Sequence, residues 1–483
     1  MVGCIALEMN QKCLNKLIET FGEGVYTNDV DKAFVICRDS LISQFKEGCK
    51  RIVNVETAIE IIRTYCELGL KLEENTWNEM QTHRIIDVKM MCKCIFSELP
   101  NLRLYNNGIP DDQSVVPNLL SLSVALSYLS QEQYSFYLNR NSGFQIEILK
   151  DCFSFTMIDN AFIQKNYQLA DSLSYDYLKG TVEKIDGIRD FSKKMIEIYG
   201  EPASELFNII YEDNPCEIID LSSLFEKFKE NEFLQGLLLR KNEDSMLQLY
   251  KSPHTAEKSR TRPIFQLNID SQAYYLTSRY LFWEAMNEIV YNQFPFAIKP
   301  KEWKNKQLVN YVNGLKNKHD SLLDDEVQKI LENNNYLFLR NKKSIDCIDL
   351  IHEKSNISDR NVGEIDFIII DSKHKTIYVT DTKYIKTKYH FAAFGNDVSK
   401  FENEYNEQLS VKFQWICEHL QNLQREIRNS VDISKYSVDL FFITNAPSFA
   451  RFFSKYPIIP VAELKEFLKT QSEKIVLNKK TTE

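Results

Sequence analysis

The chain has 483 residues, of which 43% are hydrophobic and 26% charged, a balance that excludes intrinsic disorder and at this length calls for two or three domains. The formal net charge is −9, but the acidic excess lies in residues 1–250, which makes that part a poor nucleic-acid surface by itself. Residues 251–483 are slightly basic and can hold such a surface locally. Only 14 Gly and 12 Pro favour long helices over a turn-rich all-β fold, and 11 scattered Cys read as reduced thiols; Cys92 and Cys94, with one residue between them, have no nearby Cys/His pair to complete a metal site.

In chain order, residues 1–100 read as helices, with apolar residues at helical spacing in "DKAFVICRDSLISQF" and "VETAIEIIRTYCELGLKL". No basic, apolar leader precedes them, and "VVPNLLSLSVALSYLS" (115–130) is broken by serines and shorter than a membrane span. A buried helix is expected there, with no membrane contact and the cytoplasm as the default location. Residues 101–118 carry the Asn-Asn-Gly and Pro-Asp-Asp chemistry of a loop, residues 143–158 alternate like a hairpin, and residues 160–250 turn helical and acidic again. No repeat of fixed period is present. The expected layout is therefore a mainly α-helical region over 1–250, a polar, basic linker over 251–265, a helical connector over 266–319, and a different domain over 320–483. The connector includes the aromatic-rich stretch 271–294. In "KPKEWKNK" (299–306) four lysines surround Trp303, and a solvated turn with a packed Trp is preferred there over phosphate contact.

The last 160 residues change character. A helix near 320–332 precedes strand-like runs near 336–351, 364–371 and 376–384; a long helix over about 398–428 leads to the strand "VDLFFIT" (438–444). The order α-β-β-β-α-β predicts an α/β sheet with helices on its faces.

Acidic residues interrupt two of these apolar runs, in "GEIDFIIIDSKHKTIYVTDTKY" (363–384). A carboxylate within a strand is costly unless paired. Residues two apart share a face, so Glu364 goes with Asp366, and Asp381 with Lys383. A hairpin turn centred between Lys373 and His374 places Asp366 opposite Asp381 and Glu364 opposite Lys383, all on one face. Two facing carboxylates repel, and a divalent cation such as Mg²⁺ removes the conflict, leaving room for water and a substrate phosphate. A lysine beside the ion can orient or help deprotonate a water. These residue types match metal-assisted phosphodiester hydrolysis. The competing reading is a solvent-facing hairpin with Glu364–Lys383 as a cross-strand ion pair, which runs apolar on both faces disfavour.

At "EIDF…VTDTK" the sequence resembles the PD-(D/E)XK nuclease superfamily, over about residues 320–445. Its pattern is an Asp on one strand and Asp/Glu-x-Lys on the next; Ile365 stands where a proline often precedes the first acid. The resemblance implies a restriction-endonuclease-like fold, metal ligation by Asp366, Asp381 and the carbonyl oxygen of Thr382, and water activation by Lys383. It also implies a further carboxylate on the preceding helix, for which Glu326 is the candidate metal ligand, and a polar residue on the following helix, for which Gln408 is the candidate and Lys412, one turn on, the other choice. The implied cofactor is Mg²⁺, with Mn²⁺ able to substitute. The implied activity is endonuclease cleavage, DNA being the favoured substrate, in a restriction or anti-phage defence role by analogy. A homodimer would cut two strands, though no self-complementary patch is legible. The acidic helical region would recognise a target or a protein partner. The alternative is a catalytically inactive, nucleic-acid-binding or scaffold subunit on the same fold. The seven histidines show no ligand spacing, and no Gly-rich phosphate loop, G-x-S-x-G or zinc pattern is present.

Overall fold

A computed structural model describes residues 11–73, 79–106, 111–138, 143–157, 188–212, 214–242, 247, 250, 261–356, 359–385, 391–428 and 431–480. Most of the expected linker (251–260) and the lysine-rich stretch 386–390 lie outside the described residues. The described residues divide into two units, the first within 11–157, 188–315 and 391–393, the second within 316–385 and 394–480.

The first unit is mainly helical, with helices at Val30–Cys49, Val55–Glu73, Glu79–Glu98 and Val115–Leu138. Phe34, Phe45, Ile62, Tyr65 and Phe96 lie in one core cluster. The hairpin expected over 143–158 is present as Phe144–Ile148 paired with Phe153–Met157, and Gly24–Tyr26 adds a third strand. The helical connector expected over 266–319 is corrected at its start. Ile264–Ile269 and Gln272–Ser278 form an antiparallel hairpin. Asp270 and Ser271 both take left-handed backbone angles (φ 48° and 66°), the geometry that reverses a hairpin in two residues. The helix begins only at Arg279, where the Ser278 hydroxyl accepts a hydrogen bond from the Leu281 N–H. Aromatic residues at 274, 275 and 280 run through both elements, which is why the stretch reads as one helix. Trp303 is fully buried and donates its Nε1–H to the Phe233 carbonyl at 3.1 Å, as a packed side chain rather than a phosphate contact.

The second unit is a mixed α/β domain on a five-stranded sheet. Its elements are α1 (Lys306–Asn333, of which the part from Lys316 on belongs to this unit), β1 (Leu337–Lys342), β2 (Ile365–Asp371), β3 (Thr376–Lys383), α2 (Asn406–Glu418), β4 (Ser437–Thr444), β5 (Ile458–Pro460) and α3 (Val461–Lys480). The sheet order is β5-β4-β3-β2-β1. The first three strands are an antiparallel meander, and β3, β4 and β5 run parallel. The run expected over 336–351 stops at Lys342 and turns into a small hairpin, Ser344–Ile345 with Ile348–Asp349, through the left-handed Asp346 and Cys347. The long helix expected over 398–428 is broken: a π-helical segment, Lys400–Tyr405, precedes α2, and a second break at His419 precedes Leu420–Glu426. β5 and α3 were not legible as separate elements.

The pleat divides β2 and β3 between two helical layers. Phe367, Ile369 and Tyr378 pack with Phe441 and Ile443 of β4, with Leu323, Val327 and Leu331 of α1, and with Leu464 and Leu468 of α3. The opposite face holds the buried Ile368, Ile370, Ile377 and Val379. Both faces are therefore covered, as the continuous apolar runs require. Among the described residues no helix is long and apolar enough to cross a membrane.

Candidate active site

The β2–β3 register pairs Phe367 with Thr380, Ile368 with Val379 and Ile369 with Tyr378. One step further along the ladder Asp366 stands across from Asp381, on the face opposite Phe367 and Tyr378. The turn centre expected from the polar break is thus the one the chain adopts.

Asp381 is fully buried. Its Oδ2 accepts a hydrogen bond from Lys383 Nζ at 2.8 Å, and its Oδ1 accepts one from Lys412 Nζ. Burial alone would raise this carboxyl, but the two ammonium groups hold it down at about 2. Lys383, itself desolvated, is kept charged by Asp381 and Asp366, and its amine lies 5.0 Å from the centre of the Tyr405 ring.

Asp366 lies at the end of β2, partly buried. Its Oδ2 accepts from the backbone N–H of Thr382 at 2.7 Å and lies 3.1 Å from the Thr382 hydroxyl. Desolvation and the neighbouring Asp381 charge push its carboxyl up to about 7. The pair is therefore split, one carboxylate firmly ionised and the other close to sharing a proton, as expected when like charges share a site.

Glu364 does not meet Lys383: its carboxylate is 3.6 Å from Lys343, and the lysine turns inward to Asp381. Glu326 is exposed on α1, and the carboxylate of that helix at the cluster is Asp324, whose Oδ1 accepts from the Thr382 hydroxyl at 2.7 Å. Burial raises Asp324, while Thr382 and Arg340 oppose the rise. Residues 324 and 326 flank the same apolar stripe on opposite sides, so periodicity marks both and cannot say which flank meets the strand end. Gln408 donates to Glu404 at 3.2 Å, and it is Lys412, one turn on, that bonds Asp381. Arg340, 2.7 Å from Asp325 and 3.9 Å from Asp324, carried no sequence signal, because its place depends on the pairing of β1 with β2.

Asp366 and Asp381 supply hard oxygen donors whose charge the fold must offset, and this donor chemistry suits Mg²⁺. Among the described residues no group of three or more His, Cys, Asp or Glu is placed to hold a metal. No protein-family model, curated protein or solved structure matches this chain.

Proposed function

We propose that the second unit is a Mg²⁺-dependent nuclease domain of restriction-endonuclease-like fold, hydrolysing phosphodiester bonds, with DNA as its substrate and Mn²⁺ able to replace Mg²⁺. The observation that carries this reading is the convergence of Asp366, Asp381 and Lys383 at the ends of two adjacent strands on one face. The antiparallel meander followed by a helical crossover to a parallel strand supports the fold assignment.

In this reading Asp366, Asp381 and the Thr382 carbonyl hold the ion, which supplies Lewis-acid stabilisation of the charge developing on the phosphate. Asp381 stays ionised because lysines face it. Lys383 is oriented by Asp381 and the Tyr405 ring, so its ammonium is held where it can position a water and stabilise an anionic oxygen. Glu326 and Gln408 take no part in this arrangement; Asp324 supports it through Thr382. The acidic first unit then serves target recognition or a protein partner, in a defence context by analogy.

One observation favours a second reading. Asp381 is already neutralised by two lysines, as it would be in a catalytically inactive scaffold that needs no ion. Incubating the full chain with plasmid and Mg²⁺, beside the Asp381→Ala variant, separates the two. Cleavage by the wild type that the variant loses supports the enzyme. Nucleic-acid binding without cleavage in either supports the scaffold.

A further inference from the structure

Resting on the nuclease reading, we infer that Lys412 is an internal cation held at Asp381, and that it competes with a divalent ion for that carboxylate and is displaced when the ion binds. Both oxygens of Asp381 are engaged, Oδ2 by Lys383 and Oδ1 by Lys412. Each oxygen keeps a second lone pair, but an ion bound there would sit within a few ångströms of both ammonium groups, a repulsion that is relieved when one of them moves away.

The two lysines are not equivalent. Lys383 is two residues along the strand from Asp381, and its amine also lies against the Tyr405 ring, so it has a second contact in place. Lys412 comes from α2, a different element, and its ammonium makes no other hydrogen bond among the described residues. Its side chain is 9% exposed, so the amine is desolvated and depends on Asp381 for its counter-charge. Lys412 is thus the group that leaves when a doubly charged ion arrives.

The consequence is competition. A +1 charge beside the carboxylate repels an incoming +2 ion across a few ångströms of poorly screening interior. Removing that charge while keeping the side-chain volume strengthens ion binding. Keeping the charge leaves it weak. Lys412 therefore sets the divalent-ion concentration at which the site loads, a regulatory role separate from the chemistry assigned to Lys383.

The test is calorimetric titration of the full-length protein with Mn²⁺ alone, without nucleic acid, comparing wild type with Lys412→Met and Lys412→Arg. Circular dichroism and a thermal melt establish that each is folded. The expected result is a Kd at least about tenfold lower for Lys412→Met, with Lys412→Arg close to wild type. Equal or weaker binding by Lys412→Met, beside measurable binding by the wild type, overturns the inference and leaves the metal reading intact. No binding by any of the three overturns both. An independent measurement on the wild type covers the case in which Lys412→Met fails to fold. An amine-acylating reagent followed by mass spectrometry should label Lys412 more heavily when Mg²⁺ is added, and labelling unchanged at saturating Mg²⁺ overturns the displacement.

Discussion

Thr382 and Asp366 are joined twice: the Thr382 backbone N–H donates to Asp366 Oδ2 at 2.7 Å, and the Thr382 hydroxyl lies 3.1 Å from the same oxygen while donating to Asp324 at 2.7 Å. The one hydroxyl proton is thus shared between two carboxylates, and the backbone N–H gives Asp366 Oδ2 a donor of its own. Thr382→Val keeps the shape of the side chain and removes the hydroxyl. It should lower stability in urea denaturation by about 1–3 kcal/mol, because Asp324 is left half-buried without this donor, while Thr382→Ser should stay within about 1 kcal/mol of wild type. If only the main-chain carbonyl of this residue serves an ion, Thr382→Val keeps nuclease activity within about tenfold.

The split titration of the two aspartates has a definite sign in stability. Asp366 in the native state binds its proton more tightly than the ordinary value of 3.8, up to about 7. Its contribution to stability is thus fully present below the ordinary value and lost as the pH rises through about 7. Asp381 behaves oppositely: its contribution is present above 3.8 and lost as the pH falls to about 2. Asp366→Asn accepts the same backbone hydrogen bond and carries no charge at any pH. In metal-free buffer it should be more stable than wild type at pH 8 by at least about 1 kcal/mol, with the gap closing by pH 5. Chemical denaturation at the two pH values reads the difference, and a gap that is the same at both contradicts the proton assignment.

A second charge set, pairing the buried Lys89 with the partly exposed Glu284, lies in the first unit. Glu284 lies 3.1 Å from Lys89 Nζ and accepts a hydrogen bond from Tyr65, and Lys89 also donates to the Tyr280 hydroxyl at 2.7 Å. Burial would raise Glu284, but Lys93 and Lys89 hold it at about 2, below its ordinary 4.5; Lys89 itself is lowered, chiefly by desolvation. Stability from Glu284 is present above 4.5 and lost as the pH falls towards 2. Glu284→Gln leaves Lys89 without its counter-charge and should cost about 1–3 kcal/mol at neutral pH. Adding Lys89→Met to that variant should recover part of the loss, and a purely additive double mutant in the same denaturation experiment would show the two side chains to be uncoupled.

What the sequence disclosed, and what it withheld, follows the range of each interaction. The β2–β3 register is local: a short polar break between two apolar runs fixes the turn, and with it the meeting of Asp366 and Asp381. The hairpin at 143–158 was legible for the same reason. The hairpin at Ile264–Ser278 was not: Asp270 and Ser271 are turn-forming residues and make its turn, but the aromatic run through 274, 275 and 280 continues into the following helix and masks the strand. Choices between residues on one helix were also out of reach. Asp324 rather than Glu326, and Lys412 rather than Gln408, are selected by how α1 and α2 pack on the sheet, a long-range outcome that helical periodicity narrows to two flanks and leaves undecided. Arg340 depends on pairing between β1 and β2 across a connection of more than twenty residues, which no local pattern encodes.

Packing around Trp303 makes the sharpest steric prediction. Gly236, at the end of the short helix Glu232–Gly236, lies so close to the indole that a Cβ there would sit 2.0 Å from Trp303 Nε1 and 2.4 Å from its Cδ1. The indole cannot swing aside, since it is fully buried, stacked on Phe233 with ring centroids 5.6 Å apart, and tied to the Phe233 carbonyl. Gly236→Ala should therefore destabilise the first unit by about 1–3 kcal/mol through overpacking, although alanine is ordinarily the better helix former. Trp303→Leu opens the space by removing the ring and costs about 3 kcal/mol alone. Combining the two should cost less than the sum of the single changes, because the added methyl then fills part of the cavity. Urea denaturation of the four proteins closes the cycle, and strict additivity would mean that the methyl and the indole do not compete for the same volume.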